Sequence, residues 1–106
     1  MNSLNFPFYP VHPGELLKEE LECRHISQKS FASQLELPYS ALNEILNGKR
    51  PVTTDFALLV EAALGVEPNL LLRMQASYNM QVAKTDKKFT RRLAEVRKVA
   101  ASTILI

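Results

Sequence analysis

The apolar residues between positions 28 and 47 constrain the fold of this chain more than any other feature. They recur at intervals of three and four residues in two short runs, separated by the turn at 36–38. The first run is Phe31, Ala32 and Leu35, and the second is Leu42, Ile45 and Leu46. Spacing of this kind places one apolar stripe on each of two amphipathic helices. The pattern therefore predicts two short helices joined by a tight turn.

The small side chain of Ala32 lies where the axes of these two helices would come closest, and Leu37 is placed to plug the turn. Two helices that cross steeply through so short a turn are typical of a helix-turn-helix, whose second helix enters the major groove of DNA. The spacing favours DNA binding over a generic helical bundle with solvated outer faces, but it leaves that alternative open.

Helical spacing of apolar residues extends over almost the whole chain of 106 residues, which contains only three glycines. We therefore predict an all-α protein that contains a helix-turn-helix and has a basic helix at its C-terminal end. No segment approaches the roughly 20 apolar residues of a membrane span. The N-terminal segment lacks the features of a secretory signal, and Cys23 is the only cysteine, so we expect a cytoplasmic location.

Prolines, hydroxyl residues and glycines divide the chain into three parts. Residues 1–11 form an arm with aromatic side chains, residues 12–82 the helix-turn-helix domain, and residues 83–106 a basic helix with an apolar tail, TILI. Within the domain, helices are predicted to begin at Pro13, after the N-cap Ser27, at Pro38, after Thr53 or Thr54, and at Pro68. Gly48 and Gly65 are predicted to end the third and fourth helices.

Charge is distributed unevenly, although the net charge is only +2. Residues 15–22 contain four acids and one base, whereas residues 84–98 contain seven bases and two acids. This modest net charge permits nucleic-acid binding without establishing it, and the unequal distribution predicts a dipolar surface.

The face of the third helix that is not assigned to the core supplies the candidate base-reading residues. These are Tyr39, Ser40, Ala41, Asn43, Glu44 and Asn47. An asparagine can pair with adenine in a bidentate way, an alanine can contact a thymine methyl group, and a carboxylate can accept from cytosine. Four further polar residues near the two helices are candidates for contacting phosphate or bracing a reading side chain: Gln28, Lys29, Lys49 and Arg50.

The sequence offers no catalytic or metal-binding pattern. His12 and His25 lack ligand spacing with each other or with Cys23, so we interpret both as structural histidines. No glycine-rich phosphate loop or paired carboxylate site is present. We therefore predict a protein without enzymatic activity, cofactor or metal.

Four sequence blocks resemble the HigA-type antitoxin branch of the Xre/λ-repressor-like helix-turn-helix family. They are HPGELLKEEL (12–21), SQKSFASQL (27–35), LNEILNGKRPVTTDFAL (42–58) and LGVEPNLLLRMQASYNM (64–80). The resemblance implies the fold class all-α, with a λ-repressor-like five-helix DNA-binding domain and a further C-terminal basic helix. It also implies a two-fold homodimer, a palindromic operator overlapping the antitoxin's own promoter, and a HigB/RelE-like toxin that cleaves mRNA as partner. By position, it implies DNA contact at Gln28, Tyr39, Ser40, Asn43 and Lys49.

Two positions depart from the pattern of these relatives. Glu36 lies in the turn where many relatives have glycine, so this glutamate is expected to adopt a backbone conformation that favours glycine, or the turn is remodelled. Pro38 lies where many relatives have a capping serine or threonine, and the loss of such a cap costs about 1 kcal/mol. Glu44 adds a negative charge near the DNA.

Beyond Met80 the resemblance weakens, and several roles stay open for the basic helix. It can pack on its own domain as a solvated helix, rest on a dimer partner, add phosphate contacts or hold the toxin. The apolar tail is β-prone, and we hypothesise that it pairs with a partner strand or packs in the dimer interface.

Three functions compete on this evidence. The first is an autoregulating antitoxin, the second a stand-alone Xre-type repressor without a toxin, and the third a helical protein-interaction module that does not bind DNA. A toxin reading frame next to the gene would separate the first two, and salt-dependent DNA affinity would exclude the third.

Overall fold

The computed structural model describes residues 11–105, with side-chain detail to Thr103, so the predicted N-terminal arm lies outside it except for Val11. The described residues form six helices and no strand: α1 (Pro13–Cys23), α2 (Gln28–Leu35), α3 (Tyr39–Leu46), α4 (Thr54–Leu64), α5 (Pro68–Thr85) and α6 (Lys87–Leu105). The prediction of an all-α fold with a helix-turn-helix is confirmed. The helix-turn-helix consists of α2 and α3.

Side chains cap the first backbone amides of every helix except α3. The amide of Ser30 donates to Ser27 Oγ at 3.1 Å, which confirms Ser27 as the N-cap of α2. Thr53 rather than Thr54 caps α4, where Oγ1 accepts from the Phe56 amide at 3.2 Å. Such caps stabilise a helix by about 1 kcal/mol each because they satisfy donors that have no partner inside the helix.

The turn between α2 and α3 keeps its tight geometry without a glycine. Glu36 takes a left-handed conformation, with φ of 58° and ψ of 41°. Of the two expectations for this turn, the glutamate therefore adopts the backbone conformation that favours glycine. The Leu37 amide donates to the Ala32 carbonyl at 2.9 Å and closes the end of α2. Pro38 is the N-cap of α3 and provides no side-chain hydrogen bond, so the helix begins one residue later than predicted, at Tyr39.

The core has the composition that the two apolar stripes predict. Phe31, Ala32 and Leu35 of α2 face Leu42, Ile45 and Leu46 of α3, and all six are buried. Helices α1, α4 and α5 complete the core with Leu17, Leu21, Phe56, Ala57, Val60, Leu64 and Leu71. Because α3 is packed against both α1 and α2, its outer face has a fixed orientation.

The last two helices differ most from the sequence-based expectation. Helix α5 continues without a break to Thr85, although the apolar pattern weakens after Met80. The β-prone interpretation of the tail is wrong for residues 103–105, because α6 runs to Leu105. Helix propensity and the amphipathic repeat of the preceding residues outweigh the β-branched residues at this end.

Helix α6 packs against α5 and makes no comparable contact with α1 to α4 in the described part of the chain. The molecule is accordingly elongated, with dimensions of 60 × 35 × 22 Å. Its radius of gyration is 18.3 Å, whereas a compact chain of this length has about 13 Å. The first five helices therefore form a compact unit from which α6 projects.

Candidate nucleic-acid interface

The outer face of α3 presents the predicted base-reading residues toward solvent. Tyr39 and Ser40 are exposed at the start of the helix, and Asn47 is exposed at its end. Ala41, Asn43 and Glu44 are half-buried between them. Since Leu42, Ile45 and Leu46 face the core, the six candidates share one continuous surface.

A side-chain hydrogen bond connects the two helices at the centre of this surface. Gln28 Oε1, at the start of α2, accepts from Asn43 Nδ2 at 3.1 Å. Within residues 11–103 no other hydrogen bond uses the Asn43 side-chain amide, so a second hydrogen on Nδ2 and the Oδ1 atom are available. A bidentate contact with adenine uses one Nδ2 hydrogen and Oδ1. Gln28 therefore braces Asn43 without blocking its recognition edge.

Asn47 forms a second polar cluster with Asn43 and with Lys18 of α1. Asn47 Nδ2 donates to the Asn43 carbonyl at 2.9 Å, and Lys18 Nζ donates to Asn47 Oδ1 at 3.1 Å. Lys18 was not among the sequence-based candidates. Its position as the one base among the acids of residues 15–22 was a signal that could have identified it. The cluster brings a positive charge to the end of α3.

Glu44 is paired with Arg50, which follows α3 in the loop. Glu44 Oε1 accepts from Arg50 Nε, and both side chains are partly exposed. The pair offsets the negative charge that Glu44 would otherwise present to DNA, and it engages Arg50 in a protein contact. Exposed ion pairs of this kind are weak, on the order of 0–1 kcal/mol, so either partner can exchange the contact for DNA at low cost.

Two lysines are free for phosphate contacts on either side of the helix-turn-helix. Lys29 in the first turn of α2 and Lys49 after α3 are exposed, and neither forms an ion pair within residues 11–103. The structure thus brings Gln28, Asn43 and Asn47 into one hydrogen-bonded group and places the lysines at its margins.

The start of α3 offers backbone donors as well. Since Pro38 provides no side-chain cap, the first amides of α3 are not bound by an N-cap side chain. Helix N-termini of this kind attract phosphate through unpaired N–H groups and the helix dipole. The absence of a cap lowers the stability of α3, but it leaves these backbone N–H groups available to bind an anion.

His12 supports the loop that carries Lys49 and Arg50. Its ring is buried, caps α1 by accepting from the Gly14 amide at 2.9 Å, and contacts the Tyr78 ring edge-on with centroids 4.9 Å apart. A β-carbon at Gly48 would lie 3.5 Å from His12 Cγ, so the loop backbone rests directly on the imidazole. The interpretation of His12 as structural is therefore confirmed.

Burial lowers the pKa of His12 below its usual value of 6.5, because the charged ring would lose its hydration. The Arg50 backbone and the Glu15 carboxylate oppose the shift in part, although Arg50 does not complete a hydrogen bond to the buried Nε2 atom. The neutral ring is the form that accepts from Gly14 and caps α1. No group of three or more potential metal ligands occurs in the described residues.

A second buried side chain holds the other end of this loop. Gln75 of α5 accepts from the Val52 amide at 2.8 Å through Oε1 and donates to Asn79 Oδ1 at 2.9 Å through Nε2. At the same time, Gly14 brings α1 against α3 so closely that a β-carbon there would overlap the Ile45 carbonyl oxygen. The loop and α3 are thus fixed from α1 and α5 together.

Comparison with known proteins identifies the family of this chain. The profile of the helix-turn-helix family matches residues 17–71, more than half of the chain. The chain belongs to this family. Virulence-associated protein I of Dichelobacter nodosus is 35% identical to the helix-turn-helix protein over 79 residues, which are 74% of this chain and 73% of the relative.

Solved structures with the same fold include antitoxins. An addiction module antidote protein of the HigA family from Coxiella burnetii has a TM-score of 0.68 and 36% identity, covering 79% of this chain and 95% of that one. The antitoxin HigA of Pseudomonas aeruginosa with the higBA promoter has a TM-score of 0.66 and 26% identity, covering 71% and 83%. The resemblance to HigA-type antitoxins is confirmed.

Proteins of this helix-turn-helix family are regulators and not enzymes, which confirms the prediction of a non-enzyme. Within residues 11–105, no helix combines the length and the apolar character that crossing a membrane requires.

Proposed function

We propose that this helix-turn-helix protein is a cytoplasmic HigA-type antitoxin that represses its own operon and neutralises a HigB/RelE-like, mRNA-cleaving toxin. The observation that carries the DNA-binding half is the outer face of α3, where Asn43 is held by Gln28 with its recognition edge open. A relative of 26% identity was solved with promoter DNA, which supports the same use of this face.

The polar residues divide into two roles under this proposal. Tyr39, Ser40 and Asn43 read bases in the major groove, with Ala41 and Glu44 as secondary contacts. Lys29, Lys49 and Arg50 hold the phosphate backbone, as do the open amides at the start of α3. Gln28 and Asn47 position Asn43, and Lys18 adds a positive charge beside Asn47.

The proposal includes a homodimer on a palindromic operator. One α3 helix of only eight residues contacts few base pairs, so a selective site needs two of them. Two-fold dimers of helix-turn-helix proteins place their recognition helices in successive major grooves, about 34 Å apart. Half-sites separated by one helical turn are therefore expected.

The toxin partner is supported by the similarity of this chain to antitoxins rather than by a feature of the site. An addiction module antidote of 36% identity covers most of this chain. The second candidate is a stand-alone repressor without a toxin, since a relative of 28% identity over 72 residues, from Escherichia coli, is a transcriptional regulator of the helix-turn-helix type. A protein-interaction module without DNA binding is the third.

Binding to DNA is tested with the purified protein, a duplex of its own upstream promoter region and a scrambled duplex, at two salt concentrations. We expect selective binding to the promoter, with an affinity that falls steeply as salt rises because phosphate contacts release counterions. Equal binding to both duplexes would contradict the repressor and favour the protein-interaction module.

The toxin is tested separately. Gene order comes first: a reading frame for a HigB-like protein of small size, directly beside this gene, is expected for an antitoxin. Co-expression of that frame with this protein should restore growth that the toxin alone arrests. If promoter binding is selective but the neighbouring frame is absent, the stand-alone repressor is the better description.

A further inference from the structure

Arg50 contacts α3 through its side chain, although it belongs to the loop that follows this helix. Its Nε atom donates to Glu44 Oε1, six residues earlier in the chain. Arg50 also lines the groove between α3 and α4, together with Ala41 and Ile45. Asp55 lines the same groove but forms no ion pair with Arg50 in the described part of the chain. The guanidinium therefore lies beside the outer face of α3, where the candidate base-reading residues are.

The Glu44–Arg50 pair has further hydrogen-bonding groups besides the two atoms that join it. Glu44 has a second carboxylate oxygen, Oε2, and Arg50 has two Nη groups that donate. Within residues 11–103 these atoms form no hydrogen bond, and the side chains of Glu44 and Arg50 are 42% and 55% exposed. The pair thus presents an acceptor to solvent and, beside it, a set of donors.

The edge of a G·C base pair in the major groove has the complementary pattern. Cytosine N4 is a donor, and guanine O6 and N7 are acceptors. The Glu44–Arg50 pair offers an acceptor to the first atom and donors to the other two. In an A·T pair, the thymine O4 acceptor replaces cytosine N4 and the adenine N6 donor replaces guanine O6. The carboxylate would then face an acceptor and the guanidinium a donor, so both would lose hydration without gaining a partner.

The hydrogen bond between the two side chains also favours a base contact over a phosphate contact for Arg50. Glu44 orients the guanidinium before DNA binds, which reduces the rotamer freedom that the arginine loses on binding. A phosphate beside Arg50 would be repelled by the Glu44 carboxylate, whereas a G·C pair uses the acceptor of one side chain and the donors of the other.

We propose that the Glu44–Arg50 pair reads one G·C base pair in each half-site of the operator, with Glu44 accepting from cytosine N4 and Arg50 donating to guanine O6 and N7. Arg50 then determines specificity in addition to the phosphate contact assigned to it. The proposal rests on the promoter binding of the proposed function and names a base pair that the operator contains. It also gives a role to an acidic side chain on a surface that meets DNA.

Three variants of the full-length protein test this proposal: Glu44→Ala, Arg50→Lys and the two changes combined. Arg50→Lys keeps the positive charge but loses the planar fork that bonds guanine at two atoms. The control is Glu61→Ala, the same truncation at an exposed position of α4. A duplex from the protein's own promoter region is changed one base pair at a time, and competition titrations at constant salt give the relative affinities. Circular dichroism checks that each variant is folded.

For the wild type and the control, we expect one G·C pair in each half-site whose replacement by A·T lowers the affinity roughly 5- to 150-fold, the discrimination of one good bidentate contact. Glu44→Ala and Arg50→Lys should both lose this preference at the same base pair and keep the preferences at all others. The double variant should lose no more discrimination there than either single variant, since the two side chains act together. Retained preferences elsewhere also show that the variants are folded and bind DNA in the same orientation.

Three results would overturn this proposal alone. Arg50→Lys with every base preference of the wild type would show that Arg50 contacts only phosphate. Relaxation at different base pairs in Glu44→Ala and Arg50→Lys would show that the side chains do not act as a pair. A wild type indifferent to the replacement of every G·C pair would exclude the reading contact itself. All three leave selective promoter binding intact, whereas equal binding of promoter and scrambled duplexes by the wild type would remove the proposed function and this proposal with it.

Discussion

At the scale of single residues, the contact between Gln28 and Asn43 gives the sharpest expectation. Asn43→Ala removes a bidentate partner for one base pair, so we expect a loss of about 1–3 kcal/mol on the operator and a relaxed preference at one position. Competition between operator variants in a binding titration measures both. Gln34→Ala, an equivalent truncation of an exposed α2 residue, is the control and should change neither. Unchanged preference in Asn43→Ala would mean that the reading face is misplaced.

Lys49 is expected to behave differently because it contributes charge without reading sequence. Lys49→Ala should weaken binding to all duplexes alike and reduce the slope of log affinity against log salt by about one. Lys98→Ala, a matched change on α6, should leave the slope unchanged if α6 stays away from DNA. A Lys49 variant that discriminated among sequences differently from the wild type would refute its assignment to phosphate.

His12 predicts a pH dependence of stability. Because its pKa is lower in the folded protein than the ordinary value of 6.5, the unfolded chain binds the proton more readily as pH falls below 6.5, and the folded state loses stability there. The contribution is fully present above that pH. The groups facing the ring are Glu15, Arg50 and Tyr78.

His12→Asn isolates this effect, since asparagine keeps an N-cap acceptor but does not titrate. Urea unfolding at pH 7.5 and 5.5 measures the free energy of unfolding of both proteins. We expect the wild type to lose more stability than the variant on acidification. Equal losses would show that His12 is not the group responsible.

The residues that the sequence did not reveal share one property: their partners are distant in the chain. The pairs of Lys18 with Asn47 and of Gln75 with Val52 span 29 and 23 positions. The outer face of α3 could be predicted because apolar residues recur locally at intervals of three and four. The long-range polar contacts could not, because they depend on how α1 and α5 pack against α3 and the loop that follows it. The roles of the reading residues themselves stay predictions until DNA binding is measured.

At the scale of elements, the turn between α2 and α3 stores strain at Glu36. A non-glycine residue at a φ of 58° costs roughly 1 kcal/mol relative to glycine. We expect Glu36→Gly to raise the free energy of unfolding by up to about 1 kcal/mol, as measured by urea denaturation. Glu36→Ala removes the same side chain but keeps the strain, so it should give no such gain. Stabilisation by alanine and not by glycine would show that the carboxylate was the cause.

Helix boundaries were predictable where a capping serine, a proline or a glycine lies at the end of a helix. Ser27 and Pro68 lie at helix starts, and Gly48 and Gly65 have positive φ values at helix ends, as their residue types predict. Beyond Met80 these boundary residues are fewer, and α5 and α6 are longer than the spacing of apolar residues predicts. Asp86 separates them: its carboxylate accepts from the Lys88 and Phe89 amides at 3.0 and 3.1 Å and so starts a new helix.

At the scale of the whole molecule, the question is what α6 contributes to folding. None of its described residues is buried, and the core is complete within α1 to α5. The predicted division into residues 12–82 and 83–106 treats α6 as an addition to an independent domain. In the structure α5 continues to Thr85. A truncation that tests whether the first five helices fold independently should therefore end the chain at Thr85.

We expect a chain that ends at Thr85 to unfold cooperatively, with an intrinsic stability within about 1 kcal/mol of the full-length monomer, because no core residue is lost. Thermal melts followed by circular dichroism measure this. The midpoint of the full-length protein should rise with protein concentration, since dimerisation stabilises the folded state by mass action. The same concentration series on the shortened chain shows whether its midpoint rises as well. A midpoint that rose with concentration in the shortened chain would place the dimer contacts within α1 to α5, and one that did not would place them on α6. A shortened chain without a cooperative transition would show that α6 is part of the folding unit.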